Sequence, residues 1–190
     1  MSKIKPLLLA CLLTLPALWS CEEEYLPKPK AFLRLSYPEA AYEPAVLNCP
    51  FSFEVSTQAT AKELKDCWVN INYPKLKASI NLTYRPVENN LRELLIEAEK
   101  LTYNHAVKAD LISAQPFINF EQHKFGALSE VTGNAASPLQ FHVTDSSSHF
   151  ITGAVYFAVK PNYDSILPAV KYIEKDLIHL MESLTWEDLK

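Results

Sequence analysis

The stretch Val69-Asn70-Ile71-Asn72-Tyr73-Pro74-Lys75-Leu76-Lys77-Ala78-Ser79-Ile80-Asn81-Leu82-Thr83-Tyr84 decides how this chain folds. Val69, Ile71 and Tyr73 share one face, with Asn70 and Asn72 opposite. After a turn at Pro74-Lys75, Ala78, Ile80, Leu82 and Tyr84 share a face, with Ser79, Asn81 and Thr83 opposite. Successive strand side chains point to opposite sides, so a period of two marks two half-buried strands. The short turn makes them antiparallel neighbours, a hairpin spanning residues 66–84.

Outward from the hairpin the same logic extends. On its N-terminal side, residues 31–37 alternate and predict a half-buried strand, Pro38 and Pro44 bracket a loop, and Phe51, Phe53 and Val55 line one face of another strand. Residues 57–64 read as a loop or a single helical turn. On the C-terminal side, Asn90 is placed to cap a helix with Glu93 three residues on, and Leu91, Leu94, Leu95, Ala98 and Leu101 form its apolar stripe. That helix should end near Asn104-His105. Residues 117–121 and 125–131 suggest a second hairpin, and Leu139, Phe141 and Val143 alternate in the next strand. Residues 150–159 are apolar on both faces, the mark of a central strand covered on both sides. The last element is a long helix. Ile166, Val170, Ile173, Leu177, Leu180 and Leu184 form its stripe, and Pro168 is placed in the tolerated first turn. With fewer than four heptads, the stripe reads as a helix laid across the sheet rather than a coiled coil. The expectation is an α+β fold: a single domain with an antiparallel sheet covered by two main helices, similar in outline to the PsbP/Mog1-like sandwich.

The N-terminus carries a different kind of information. Lys3 and Lys5 precede an apolar run from Leu7 to Leu18, the make-up of a secretory signal. The run is too short for a spanning helix, which needs about 20 residues. Leu18-Trp19-Ser20-Cys21 then has the spacing of a bacterial lipobox, with Trp19 a poor fit to the usual small residue. The reading is a signal peptide over residues 1–20, a lipidated Cys21 beginning an extended tether to residue 30, and a domain over residues 31–190. Pro27 and Pro29 favour an extended tether that reaches roughly 25–30 Å.

Removing residues 1–20, which hold two lysines and no acid, leaves 16 basic against 22 acidic groups, a net charge of −6. So acidic a chain is a poor match for nucleic acid, which requires a basic face. It is equally poor for an electrostatic grip on anionic lipids, so the membrane is to be reached through acyl chains. Cys11 leaves with the signal and Cys21 carries lipid. Cys49 and Cys67 remain, most simply a disulfide in an oxidising compartment, with two buried thiols or a metal site as alternatives. A metal site lacks C-x-x-C spacing and any nearby histidine.

No catalytic motif emerges. Three glycines, Gly126, Gly133 and Gly153, cannot compose a phosphate-binding loop, a dinucleotide fingerprint or a nucleophile elbow. His142, Asp145 and His149 are the nearest approach to an acid–base or metal cluster, since the serine turn at 146–148 would bring Asp145 and His149 together. The plainer reading is a polar hairpin tip. No catalytic residue, cofactor or metal is expected.

Several blocks carry a family resemblance. A lipobox cysteine is followed by Glu22-Glu23-Glu24-Tyr25-Leu26-Pro27-Lys28-Pro29-Lys30 and by Phe32-Leu33-Arg34-Leu35. Then come Cys49-Pro50-Phe51-Ser52-Phe53-Glu54, the run from Cys67-Trp68 to Lys77-Ala78, and the helix from Asn90 to Thr102. Together these resemble the gliding-motility lipoprotein GldD family of the Bacteroidota. The resemblance implies a non-enzymatic, lipid-anchored envelope protein needed for gliding motility and the linked type IX secretion machinery. It implies lipid on Cys21, pairing of Cys49 with Cys67, and other lipoproteins of that machinery as partners. A small-molecule ligand is not expected; the alternative function is an envelope lipoprotein that binds one. The implied location is the outer membrane. The acidic run after Cys21 resembles a surface-export signal, which leaves both the periplasmic face and the cell surface open.

Overall fold

The computed structural model describes residues 37–104, 109–159 and 162–187. The chain order is β1 (Tyr42–Pro44), β2 (Phe51–Ser52), β3 (Glu54–Ser56), β4 (Thr60–Glu63), β5 (Val69–Tyr73), β6 (Ala78–Pro86), α1 (Leu91–Tyr103), β7 (Ala109–Asn119), β8 (Lys124–Gly133), β9 (Leu139–Thr144), β10 (His149–Phe157), α2 (Tyr163–Ser183) and β11 (Thr185–Trp186). Seven strands form one antiparallel sheet in the order β4-β5-β6-β10-β9-β8-β7. Two small ribbons accompany it, β1 with β3 and β11 with β2.

This corrects the expected fold class. Among the described residues the protein is mostly β, with 44% of them in strands and two α-helices, rather than an α+β sandwich built on a pair of helices. Residues 57–64, whose pattern suggests a loop or helical turn, contain edge strand β4, paired to β5 from Thr60↔Asn72 to Glu63↔Val69. An edge strand buries little, so it carries little apolar alternation to recognise. The same holds for β7, the opposite edge, which runs eleven residues with most of its side chains exposed.

The hairpin that decided the reading is β5–β6. Its strands pair from Tyr73↔Ala78 to Val69↔Leu82, and a 3-10 turn, Pro74–Leu76, joins them with Lys77 in left-handed backbone. β6 then pairs with β10 over nine residues, from His149↔Pro86 to Phe157↔Ala78. β10 lies at the centre of the sheet, as its two apolar faces predict. One face carries Ile151, Gly153 and Val155; the other carries Phe150, Thr152, Ala154 and Tyr156.

The first of these faces holds the main core. Ile71, Ile80, Leu82, Phe141, Val143, Ile151 and Val155 pack with Val170, Ile173, Leu177, Leu180 and Met181 of α2. Burial of such side chains contributes roughly 1.5–3 kcal/mol each. Pro168 falls at the sixth residue of α2, inside the helix rather than in its first turn. Two polar groups within this core fix the helix in place. The Asp176 carboxylate is buried and accepts hydrogen bonds from the hydroxyls of Tyr42 (3.1 Å) and Tyr73 (3.0 Å), joining β1 and β5 to α2. Burial, reinforced by the Asp176 charge, pushes the Tyr42 phenol up to about 12.

The second polar group is Lys124, which is 0% exposed. Its ammonium donates to the backbone carbonyls of Met181 (3.3 Å), Glu182 and Leu184 (3.0 Å). The last carbonyls of a helix have no partner within it, and the helix dipole is negative there. A lysine threaded from β8 therefore satisfies the C-terminus of α2.

α1 lies against the other face of the sheet. Leu94 and Ala98 pack on Phe150 of β10, supported by Val87, Leu91 and Leu95. The predicted stripe holds at Leu94 and Ala98 but not at Leu101, which is 51% exposed. Asn90 precedes the helix but does not cap it through its side chain. Its Oδ1 instead accepts the Glu88 N–H at 2.8 Å. The strand expected at residues 31–37 falls outside the described residues except for Tyr37, as do Cys21, the signal segment and the tether. Among the described residues no helix is long and apolar enough to cross a membrane.

Candidate functional site

The structure separates the three residues that resembled a catalytic cluster. His142 on β9 pairs with Thr152 of β10 and faces α1, stacking at 6.0 Å on Phe150. His149 begins β10 on the opposite face. Its Nδ1 lies 3.1 Å from the Tyr84 hydroxyl and its ring stacks at 5.2 Å on Trp186. Asp145 does sit across the serine turn from His149, but as the turn's organiser. Its carboxylate accepts the backbone N–H groups of Ser147, Ser148 and His149 at 2.8–3.0 Å and the Ser147 hydroxyl at 2.8 Å. Burial alone would raise its pKa. These four donors more than offset that and hold the group below the ordinary carboxylate range. An oxygen set already engaged by four donors is a turn cap, not a general base.

The remaining histidines among the described residues are also structural in their contacts. His179 on α2 stacks on Tyr42 and meets Glu54 at 2.7 Å. His123 sits in the tight β7–β8 turn at φ +49°, where its carbonyl accepts the Trp186 indole N–H.

Cys49 and Cys67 form a disulfide, their Cα atoms 5.6 Å apart. Glu63 lies close enough to both sulfurs to suggest a metal cluster. Disulfide sulfurs are not thiolates, however, and the Glu63 Oε2 already accepts the Asn48 N–H at 2.7 Å. The disulfide joins the loop before β2 to the start of the hairpin. It does not set the Phe51 strand beside β5, because β4 takes that place and β2 pairs with β11.

The feature that was not foreseen lies beneath α1. The polar positions of β6, β8, β9 and β10 read as solvent-facing, yet Asn81, Thr83, Ser129, Gln140, His142 and Thr152 line a cavity of about 220 Å³ between the sheet and the helix. From α1, Ala98, Leu101 and Thr102 close it, and Tyr156 stands at its margin. Gln140 is only 6% exposed. Its Oε1 accepts from the Thr102 hydroxyl at 3.3 Å, while its Nε2 has no hydrogen-bond partner in the protein. An unsatisfied buried polar group costs about 1–3 kcal/mol. Burial pushes the His142 imidazole below its ordinary range, Glu99 opposing in part, so at neutral pH the ring is an uncharged donor and acceptor. The signal that could have located the site was the run of polar second faces on three adjacent strands, Asn81 and Thr83, Thr152, and Gln140 and His142. An antiparallel sheet with one face in water has the same pattern, so the alternation alone could not distinguish the two.

No curated protein matches the chain. A family model described as the gliding motility lipoprotein GldD matches residues 22–186, from the residue after Cys21 to the end of β11. The chain belongs to the GldD family of gliding motility lipoproteins.

Proposed function

We propose that this gliding-motility lipoprotein is a non-enzymatic assembly or stabilising factor for the gliding machinery and the type IX secretion apparatus linked to it. Lipid on Cys21 anchors it to the outer membrane, and its partners are other envelope lipoproteins of that machinery. One observation supports the reading above the rest. Among the described residues, Asp145 is engaged by four hydrogen bonds to its own turn, and His142 lies on the opposite face of the sheet from His149, so the three do not converge on one centre. A protein of this kind contributes surfaces rather than chemistry, and a short tether keeps those surfaces near the bilayer.

The test is deletion of the gene, followed by gliding and type IX secretion assays and by complementation with the parent or Cys21→Ala. Both activities should be lost on deletion. The parent should restore them and Cys21→Ala should not. Normal gliding and secretion in the deletion strain would overturn the proposal. Full rescue by a soluble Cys21→Ala protein would overturn the role of the anchor.

A further inference from the structure

We infer that the cavity between α1 and the sheet is a binding site for a neutral saccharide unit. The inference goes beyond the role in gliding and stands or falls separately from it. It begins with charge. None of the residues lining the cavity is Asp, Glu, Lys or Arg. A carboxylate or phosphate entering it would be desolvated without a counter-charge and would meet the field of Glu99, which acts on His142, so the ligand is not an anion.

Hydrogen-bonding capacity narrows the ligand further. Hydroxyls from Thr83, Ser129 and Thr152 each donate and accept, and the amides of Asn81 and Gln140 offer a donor and an acceptor side by side. The Asn81 Oδ1 is engaged by Asn70 at 2.6 Å, which fixes the orientation of its amide. Thr102 serves only the Oε1 side of Gln140, and the Nε2 has no hydrogen-bond partner in the protein. Alternating donors and acceptors on a ring of hydroxyls are the complement of such a surface. A fatty chain or an apolar metabolite would leave these groups unmet.

Size and the nature of the rim narrow it again. About 220 Å³ is below the ~300–1,000 Å³ of pockets that enclose drug-sized molecules, so the site takes one ring rather than several. Tyr156, 38% exposed, and Leu101 present apolar surface at the margin. A sugar ring has just this duality, hydroxyls around its edge and a C–H face that lies on an aromatic ring.

The experiment uses the full lipidated chain in detergent against an array of neutral hexoses, N-acetylhexosamines and hexuronic acids, both as monosaccharides and as polysaccharides. Hits are quantified by calorimetry. At least one neutral saccharide should bind and the hexuronic acids should not. Gln140→Leu should weaken that binding about tenfold or more while the protein stays folded. Ala154→Leu, which fills the cavity from β10, should abolish it and decides the matter if the first variant does not fold. Competition between a polysaccharide and its own monosaccharide would place both in this site and identify the single ring as the recognised unit. Failure of all neutral saccharides to bind, preference for an acidic one, binding unchanged in both variants, or a polysaccharide that its monosaccharide cannot displace would each overturn the inference.

Discussion

Replacing Lys124 by Met removes the ammonium at the end of α2 while keeping an apolar side chain of similar length. The cavity contribution to the loss of stability is therefore small. Three carbonyls lose their donor. Glu182 is exposed, so water can reach its carbonyl, whereas Met181 and Leu184 are buried and their oxygens stay dry. Each dry, unpaired carbonyl costs about 1–3 kcal/mol, and the favourable contact with the helix dipole adds up to ~2 kcal/mol. Part of this is offset, because the fold no longer has to desolvate an ammonium. The net expectation is a loss of about 3 kcal/mol, the low end for breaking a buried charged contact. For a domain of this size that lowers the melting temperature by roughly 6–12 °C. Thermal and urea unfolding, followed by near-ultraviolet circular dichroism, reads it directly. The pH dependence supplies an independent check. Burial lowers the pKa of Lys124 from 10.5 in the folded state, Glu182 opposing in part. Between the lowered value and 10.5 the unfolded chain binds the proton and the folded chain does not. Stability from this group therefore rises with pH in that window, and the gap between parent and Met variant widens there. A Lys124→Met protein as stable as the parent would refute the assignment of Lys124 as the helix cap.

Other consequences are as direct. Asp145→Ala should cost about 1–2 kcal/mol by removing the acceptor of the serine turn, and Asp145→Asn less, since one oxygen still accepts. Because the Asp145 pKa is depressed on folding, its contribution is present above the unfolded carboxylate value and fades as pH falls through the folded one, which acid titration of parent and variant would show. Reduction of the Cys49–Cys67 disulfide, which closes a loop of sequence separation 18, should cost about 3 kcal/mol on loop entropy, and the intact protein should gain two hydrogens in mass only after reductant. Gly153→Ala should destabilise by about 1–3 kcal/mol, measured by urea unfolding, because an added Cβ would lie 2.2 Å from the Phe141 ring over central strand β10.

The sequence made the interior legible and the edges obscure. Val69 to Tyr84 and residues 150–159 announce themselves because buried strands must alternate or be apolar throughout. The final helix does so because its stripe recurs with helical spacing. β4 and most of β7 are silent for the opposite reason: strands at the margin of a sheet bury too little to leave a pattern, so the protein looked more balanced between helix and strand than it is. The cavity under α1 was hidden by a similar ambiguity. Asn81, Thr83, Gln140 and His142 are polar in the manner of water-facing positions, and only the placement of α1 beside them turns part of a wet surface into a recess. Lys124 offered no cue, since a lone lysine next to a turn normally marks solvent.

The disulfide has a mechanical meaning in a lipid-anchored chain. Tension drawn from the membrane side enters the described residues at Tyr37 and follows the backbone to Cys49. There a covalent bridge offers it a direct route to Cys67, at the root of the β5–β6 hairpin in the body of the sheet. The backbone between, with β2 and edge strand β4, is bypassed by load that crosses the sulfurs, while β1 shares its part with β3 and with Asp176 of α2 before Cys49 is reached. With the bridge opened, the same pull would run through β2 and β3 to edge strand β4, which is held to the sheet by β5 alone.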